Sequence, residues 1–183
     1  MNKQNQDYKA YVYKHIANVK KGFEYLIKKG NHVIFDLNEE EIDTLRNQIN
    51  EHDSSKYEDA EFYPYSNWFF GEKNDQTKAE FREAVKLHKS RHPHHPEYWT
   101  DENGVQDMPF DRVIEMIADW WTFGIEKKDY FEILSYYNNN KTKFNFSSKT
   151  QKNVDILLKF IKESSPSNQD FYEDSNEIEP NNN

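Results

Sequence analysis

Apolar residues recur three or four positions apart in six separate segments of this chain, and this spacing constrains the fold more than any other feature. It places the apolar side chains of each segment on one face of an α-helix. The segments are residues 8–27, 42–52, 81–88, 113–123, 130–137 and 154–161. We find no alternation typical of paired strands and no internal repeat. The pattern therefore predicts an all-α bundle whose helices pack their apolar faces together.

Residues that favour helix ends lie between these segments. They are Gly30, Asn38, Pro93, Pro96 and Pro109. Thr77 and Glu80 have the spacing of a capping box, so we expect the third helix to begin there. A second such pair, Ser148 and Gln151, precedes the last predicted helix.

The length of 183 residues suits one domain with a tail. From about Ser164 the chain becomes polar, so we expect residues 1–163 to form the helical domain and residues 164–183 to be a disordered polar tail. The chain has no cysteine, which excludes disulfides and thiolate metal sites. No apolar run is long enough to cross a membrane, so we expect a cytoplasmic protein without a membrane partner.

The net charge is −9, from 24 basic and 33 acidic residues. Such an acidic chain is unsuited to bind a nucleic-acid backbone, because phosphate contacts require a basic surface. A small phosphorylated substrate is still compatible, since a metal ion can meet its charge. The acidic surface and the tail also suit a protein partner.

Histidines and aspartates fall on the predicted apolar faces. His15, His52 and His88 each continue the face of a different helix, and Asp119 lies within a fourth. Alone, each has a simpler explanation, such as a hydrogen-bonded core histidine or a salt-bridged aspartate. Together with Asp53, next to His52, they favour a metal site in the bundle core. Imidazole and carboxylate ligands suit Zn, Mn, Fe or Co.

The loop after the third helix, residues 92–99, holds three histidines and two prolines. It could supply a second set of metal ligands, or it could be a rigid loop with exposed histidines. We favour ligands here, with His94 and His95 ahead of His92. With His88 they would complete a second metal position.

The ordered set formed by His15, the pair His52-Asp53 and Asp119 resembles the H…HD…D signature of the HD-domain superfamily. The run from His52 to Lys56 is also similar to the HD-x-x-K form of its HD-GYP branch. The glycine-rich GYP element of that branch is absent, so cleavage of cyclic dinucleotides is not implied.

Further motifs are similar to a little-characterised family of small phage and bacterial HD-like proteins. These motifs are Glu61-Phe62, the stretch from His94 to Trp99, and Asp119-Trp120-Trp121. The resemblance covers roughly residues 8–125. After about Lys127 we find no matching motif.

The resemblance implies an HD-domain-like bundle and a metal-dependent phosphohydrolase that acts on a small phosphate ester, with a nucleotide as the leading substrate. Asp53 would bind one divalent ion or bridge two (Mn, Co, Fe, Zn or Mg). Lys56 and Arg91 would hold phosphate, unless they are solvated surface cations. Glu61 has an offset from Asp53 similar to that of a proton-transfer residue in nucleotidase-type HD proteins. The alternatives are a non-catalytic module that binds a nucleotide or a protein, and an HD-type di-iron oxygenase.

Overall fold

The computed structural model describes residues 2–172 and confirms the prediction of an all-α fold. The helices are α1 Lys3–Gly30, α2 Glu39–Asn50, α3 Asp59–Phe70, α4 Asp75–Arg91, α5 Phe110–Lys127, α6 Glu132–Asn140, α7 Ser148–Ser164 and α8 Asn168–Tyr172. Short 3₁₀ helices span Ser54–Tyr57, Pro96–Trp99 and Lys141–Lys143. None of the helices in this described range combines the length and hydropathy that a membrane span requires.

α1 and α5 lie side by side at the centre of the bundle, and α2, α3 and α7 pack around them. Gly22 permits the close approach, because a Cβ atom there would lie 3.2 Å from the Ile125 side chain. The buried apolar residues form two clusters. Val12 of α1 belongs to the smaller one, with α3 and α4, and Val19 belongs to the larger one, with α5 and α7. His15 lies between them along α1, so this helix carries a polar group into the space between the clusters.

The starts of two helices differ slightly from the prediction. α2 begins at the expected Asn38 cap. α4 is capped by Asn74, whose side chain accepts from the Thr77 backbone N–H, so the predicted box from Thr77 to Glu80 was wrong. Asparagine is the stronger N-cap, and Thr77 takes the third helical position instead. α7 is capped by Ser147, one residue before the predicted serine.

α3 and a small hairpin were missed by the sequence interpretation. α3 is rich in aromatic residues on all sides and contains Pro64, so it shows no clear apolar face. The hairpin pairs β1 Thr100–Asp101 with β2 Gly104–Val105, antiparallel, and corrects the expectation of no paired strands. Its strands have two residues each, too short for alternation to be visible.

The predicted tail begins later than residue 164. After Ser165, in the left-handed region at φ 48°, the chain continues into α8. Phe171 of this helix is 7% exposed and stacks on Tyr25 and Tyr130, with ring centroids 5.2 and 4.6 Å apart. The boundary at 164 was therefore wrong, because one aromatic residue in a polar segment anchors it to the core. Residues 173–183 of the predicted tail lie outside the described residues.

Replacing Phe171 by alanine tests this anchor. We expect Phe171→Ala to lower the free energy of unfolding by about 3 kcal/mol, because it removes a buried ring and leaves a cavity. Urea unfolding followed by circular dichroism measures the change. Gln169→Ala, an exposed position of the same helix, should change it by less than about 0.5 kcal/mol. Equal stability of the two variants would show that α8 does not support the core.

Candidate metal centre

Asp53 lies at the centre of a buried polar cluster. It follows α2 and is only 1% exposed. Its backbone is in the left-handed region at φ 55°, which a short polar residue such as aspartate tolerates. Asp53 directly precedes the 3₁₀ helix that carries Ser55 and Lys56.

Four histidines from four parts of the chain direct Nε2 towards the Asp53 carboxylate. They come from α1, the residues after α2, α4 and the loop after α4. The distances from Nε2 to the nearer Asp53 oxygen are 3.1 Å for His15, 3.1 Å for His88, 3.4 Å for His52 and 3.5 Å for His94. Asp119 of α5 completes the cluster, with Oδ1 3.2 Å from His15 Nε2 and 3.8 Å from His52 Nε2.

Several buried atoms of this cluster have no hydrogen-bond partner, although each could bind a cation. They are Nε2 of His52, His94 and His95, and Oδ1 of Asp53. A buried polar atom without a partner costs roughly 1–3 kcal/mol, so such a concentration of them in one place requires an explanation. A metal ion provides one, because unprotonated Nε2 and carboxylate oxygens are its usual ligands.

The possible ligand atoms also lie close enough together for metal binding. They are no more than 4.8 Å apart within each of four groups, one of which is Glu61, His88 and His92, while the other three contain only ligands predicted from the sequence. These three groups are Asp53, His88, His94 and His95; His15, His52 and Asp53; and His52, His94 and Asp119. The structure therefore brings together all seven predicted ligands in buried clusters that could hold a metal ion, and their binding of metal stays a prediction.

Glu115 is a central residue of this cluster that sequence reasoning missed. It is 3% exposed, and its Oε1 lies 2.9 Å from His52 Nδ1 and 3.1 Å from His94 Nδ1. Its Oε2 accepts from Gln48 Nε2 at 2.8 Å and from Arg112 at 3.0 Å. Acceptance from Nδ1–H leaves the lone pair of each ring on Nε2, facing Asp53. The available signal was its position one helical turn before Asp119 in an otherwise apolar segment.

Glu61 plays a similar part for His88. Its side chain is fully buried, and Oε2 lies 2.8 Å from His88 Nδ1 and accepts from the Ser55 hydroxyl at 2.9 Å. His92 Nε2 lies 2.6 Å from the same Ser55 oxygen, and Glu61, His88 and His92 form a further group that could hold a metal ion. These contacts favour an orienting role for Glu61 over the proton-transfer role that the resemblance implied.

Arg91 pairs with two carboxylates in this structure, and its phosphate-binding role stays a prediction. Its guanidinium donates to Glu58 Oε2 at 2.7 Å and to Glu61 Oε1 at 3.2 Å. Both terminal nitrogens of the guanidinium are thus engaged by carboxylates, and the Glu61 oxygen that accepts from Arg91 is not the one that faces His88. The sequence could not show this, because Glu58 and Glu61 are 33 and 30 residues distant.

Lys56 lies beside the Asp53 carboxylate, and its phosphate-binding role stays a prediction. Its Nζ lies 2.5 Å from Asp53 Oδ2 and 5.7 Å from the centre of the Tyr65 ring. The side chains of His15, Lys56 and Asp119 are 13, 15 and 17% exposed, whereas that of Asp53 is 2% exposed. The cluster therefore reaches solvent at His15, Lys56 and Asp119, and also at His95, which is partly exposed.

Burial lowers the pKa values of His15, His52 and His88, but the nearby carboxylates outweigh it and raise them, so a metal ion would have to displace protons from these rings. Burial favours neutral Asp53, but the charges of His52 and Lys56 outweigh it and hold the pKa of that carboxyl well below its usual range. Burial and the charge of His94 lower the pKa of His95 to about 2, so this imidazole is neutral near pH 7. For Lys56, the Asp53 and Asp119 carboxylates outweigh burial and raise the pKa of the ammonium group.

Fold and cluster together define an all-α protein with a buried His/Asp centre that could hold a metal ion. Residues 4–164 match a family of unknown function, DUF5662, and the chain belongs to that family. The match includes every residue of the centre, from His15 to Asp119. No curated protein and no solved structure matches the chain. The relation to HD-domain proteins therefore stays a prediction.

Replacing Asp53 by asparagine tests the centre. Asparagine tolerates the left-handed backbone, so the fold should be kept while the carboxylate is lost. We expect metal affinity to fall by more than about 100-fold, because the loss of a direct ligand should weaken binding more than the loss of a residue that only orients a ligand. Elemental analysis after dialysis measures bound metal, and circular dichroism checks the fold. Asp155→Asn, on the exposed face of α7, is the control. Unchanged metal content in a folded Asp53→Asn protein would rule out this centre.

Proposed function

We propose that this protein is a metal-dependent phosphohydrolase of the HD type that cleaves a small phosphate ester, with nucleotides as the leading substrate class. The observation that carries the proposal is the convergence of Nε2 atoms without hydrogen-bond partners and buried carboxylates beside a partly exposed lysine. Structural zinc sites usually contain thiolates, and this chain has no cysteine. A centre of histidine and aspartate is more typical of hydrolytic metals.

The centre contains enough ligands for one or two divalent ions, such as Mn, Co, Fe, Zn or Mg. His15, His52, Asp53 and Asp119 would hold one ion. The residues for a second are Asp53, His88, His94 and His95. Asp53 belongs to both sets and would be shared. When bound, such an ion supplies an acidified water molecule and positive charge for the phosphoryl oxygens.

Lys56 is the residue best placed to bind the phosphate. Among the described residues it is the only lysine or arginine in ion-pair contact with Asp53 or Asp119. It also lies on the side where the cluster meets solvent, so an incoming anion would reach it directly. The net charge of −9 cannot attract a phosphate over distance, which makes this local cation more important. Glu61 and Glu115 orient the imidazoles behind it.

A substrate screen tests the activity. The purified protein is assayed with nucleoside mono-, tri- and cyclic phosphates in the presence of Mn, Co, Mg or Zn, and the products are separated by chromatography. We expect metal-dependent release of phosphate or of a ring-opened nucleotide. Oxygen consumption by an iron-loaded sample without phosphate release would favour the oxygenase alternative. Nucleotide binding without turnover by fully metallated protein would favour the binding module.

Replacing Lys56 by methionine tests its role. The change keeps the length of the side chain and removes the charge, so we expect kcat/KM to fall by about 100-fold. Metal content should not fall, because the substitution removes only an ammonium group that competes with the metal for the Asp53 carboxylate. Lys159→Met, on the exposed face of α7, is the control. Turnover equal to that of the control would exclude Lys56 from phosphate binding.

A further inference from the structure

The Glu115 carboxylate connects the inner and outer parts of the metal centre. Its Oε1 faces the Nδ1 atoms of His52 and His94, and its Oε2 faces Gln48 and Arg112. Four N–H groups thus surround one buried carboxylate. The two oxygens have different partners. Oε1 contacts only imidazoles, and Oε2 contacts only residues outside the ligand set.

The outer contacts determine where the inner oxygen lies. A glutamate side chain has three rotatable bonds, so one oxygen can face two rings at 2.9 and 3.1 Å only if the other is fixed. Gln48 of α2 and Arg112 of α5 approach Oε2 from two different helices. Among the described residues, Arg112 is the only lysine or arginine that forms an ion pair with Glu115. A buried carboxylate without such a cation is strongly unfavourable.

The position of Oε1 in turn determines which nitrogen of each ring is unprotonated. A neutral imidazole carries one proton, and an acceptor at Nδ1 keeps the proton there. Nε2 of His52 and His94 then presents its lone pair towards Asp53 and Asp119. If Oε1 moved away, either ring could place its proton on Nε2, where it would block metal binding.

We infer that Arg112 and Gln48 are positioning residues of the metal centre, which fix Glu115 so that His52 and His94 both offer Nε2 to a metal. The inference rests on the metal binding that the proposed function includes. A similar order of contacts recurs on the other side of Asp53, where Arg91 donates to Glu61, and Glu61 faces His88 Nδ1. This second chain of contacts shares no residue with the first except Asp53, and it provides an internal comparison.

Metal titration is the first test. The dissociation constant of Zn²⁺ is measured by competition with a chromophoric chelator for wild type, Arg112→Met, Arg112→Lys and Gln48→Leu. We expect Arg112→Met to weaken binding by about 10- to 100-fold, as for other residues that orient metal ligands. Arg112→Lys, which keeps the charge, should recover part of this loss. Arg46→Met is the matched control, since Arg46 pairs with Glu24 and Asp43 at the surface. Wild-type affinity in Arg112→Met would overturn the inference.

The protonation pattern of the histidine rings is the second test, and a merely structural role of Arg112 would not change it selectively. Long-range proton–nitrogen correlation spectra of the metal-free protein, recorded with rising pH until the rings are neutral, report which ring nitrogen carries the proton. We expect Nδ1–H for His52 and His94 in the wild type and a mixture in Arg112→Met. His88, held by Glu61, should not change. Weakened metal binding with unchanged His52 and His94 rings would also overturn the inference.

These measurements separate the inference from the proposed function. Neither requires turnover, so an inactive protein that shows the expected affinities and ring protonation would support the positioning role alone. If the wild type bound no metal, the metal proposal would fail and the inference would fall with it. Circular dichroism identifies a variant that does not fold. In that case Gln48→Leu, which removes the other donor to Glu115 Oε2, replaces Arg112→Met in both tests. Weaker Zn²⁺ binding together with altered protonation of His52 and His94 would support the inference, and wild-type behaviour in either test would overturn it.

Discussion

The structure depends on the burial of the Asp53 carboxylate between two apolar clusters. A buried charge must be compensated, and here the compensation comes from distant parts of the chain. α1 brings His15, the 3₁₀ helix brings Lys56, and α4 brings His88. The helices therefore have to meet at one point for the charges to be balanced. This requirement couples the arrangement of the helices to the polar centre.

His15, His52, His88 and Asp119 could be recognised from the sequence because each continues an apolar helix face. That pattern placed His52, His88 and Asp119 inward without any knowledge of contacts. Glu115 and Arg91 were not recognised for opposite reasons. Glu115 lies among apolar residues, but no spacing rule connects it to His52, 63 residues away. Arg91 is close to the histidines in sequence, yet its partners lie on α3 and just before it.

The helices, too, divide into those that the sequence pattern predicts and those that only tertiary contacts explain. α1, α2, α4, α5 and α7 have regular apolar faces, so their existence followed from the sequence. α3 is held by aromatic contacts that lie outside one stripe, among them Phe62 against Tyr8 at 5.1 Å between ring centroids. α8 is held by the Phe171 ring and by polar contacts from Asn168 to Tyr130 and from Asp170 to Lys29. Elements held by such individual tertiary contacts carry no periodic signal, and only the assembled core reveals them.

The charge balance of the centre explains how an acidic protein could bind an anion. Four buried or nearly buried carboxylates, those of Asp53, Glu61, Glu115 and Asp119, meet three cations, which are Lys56, Arg91 and Arg112. With neutral histidines this leaves one negative charge. A single divalent ion would convert it to one positive charge, and a second ion would add two more. The metal would thus do more than activate water, because it would also reverse the sign of the one region that a phosphate has to enter.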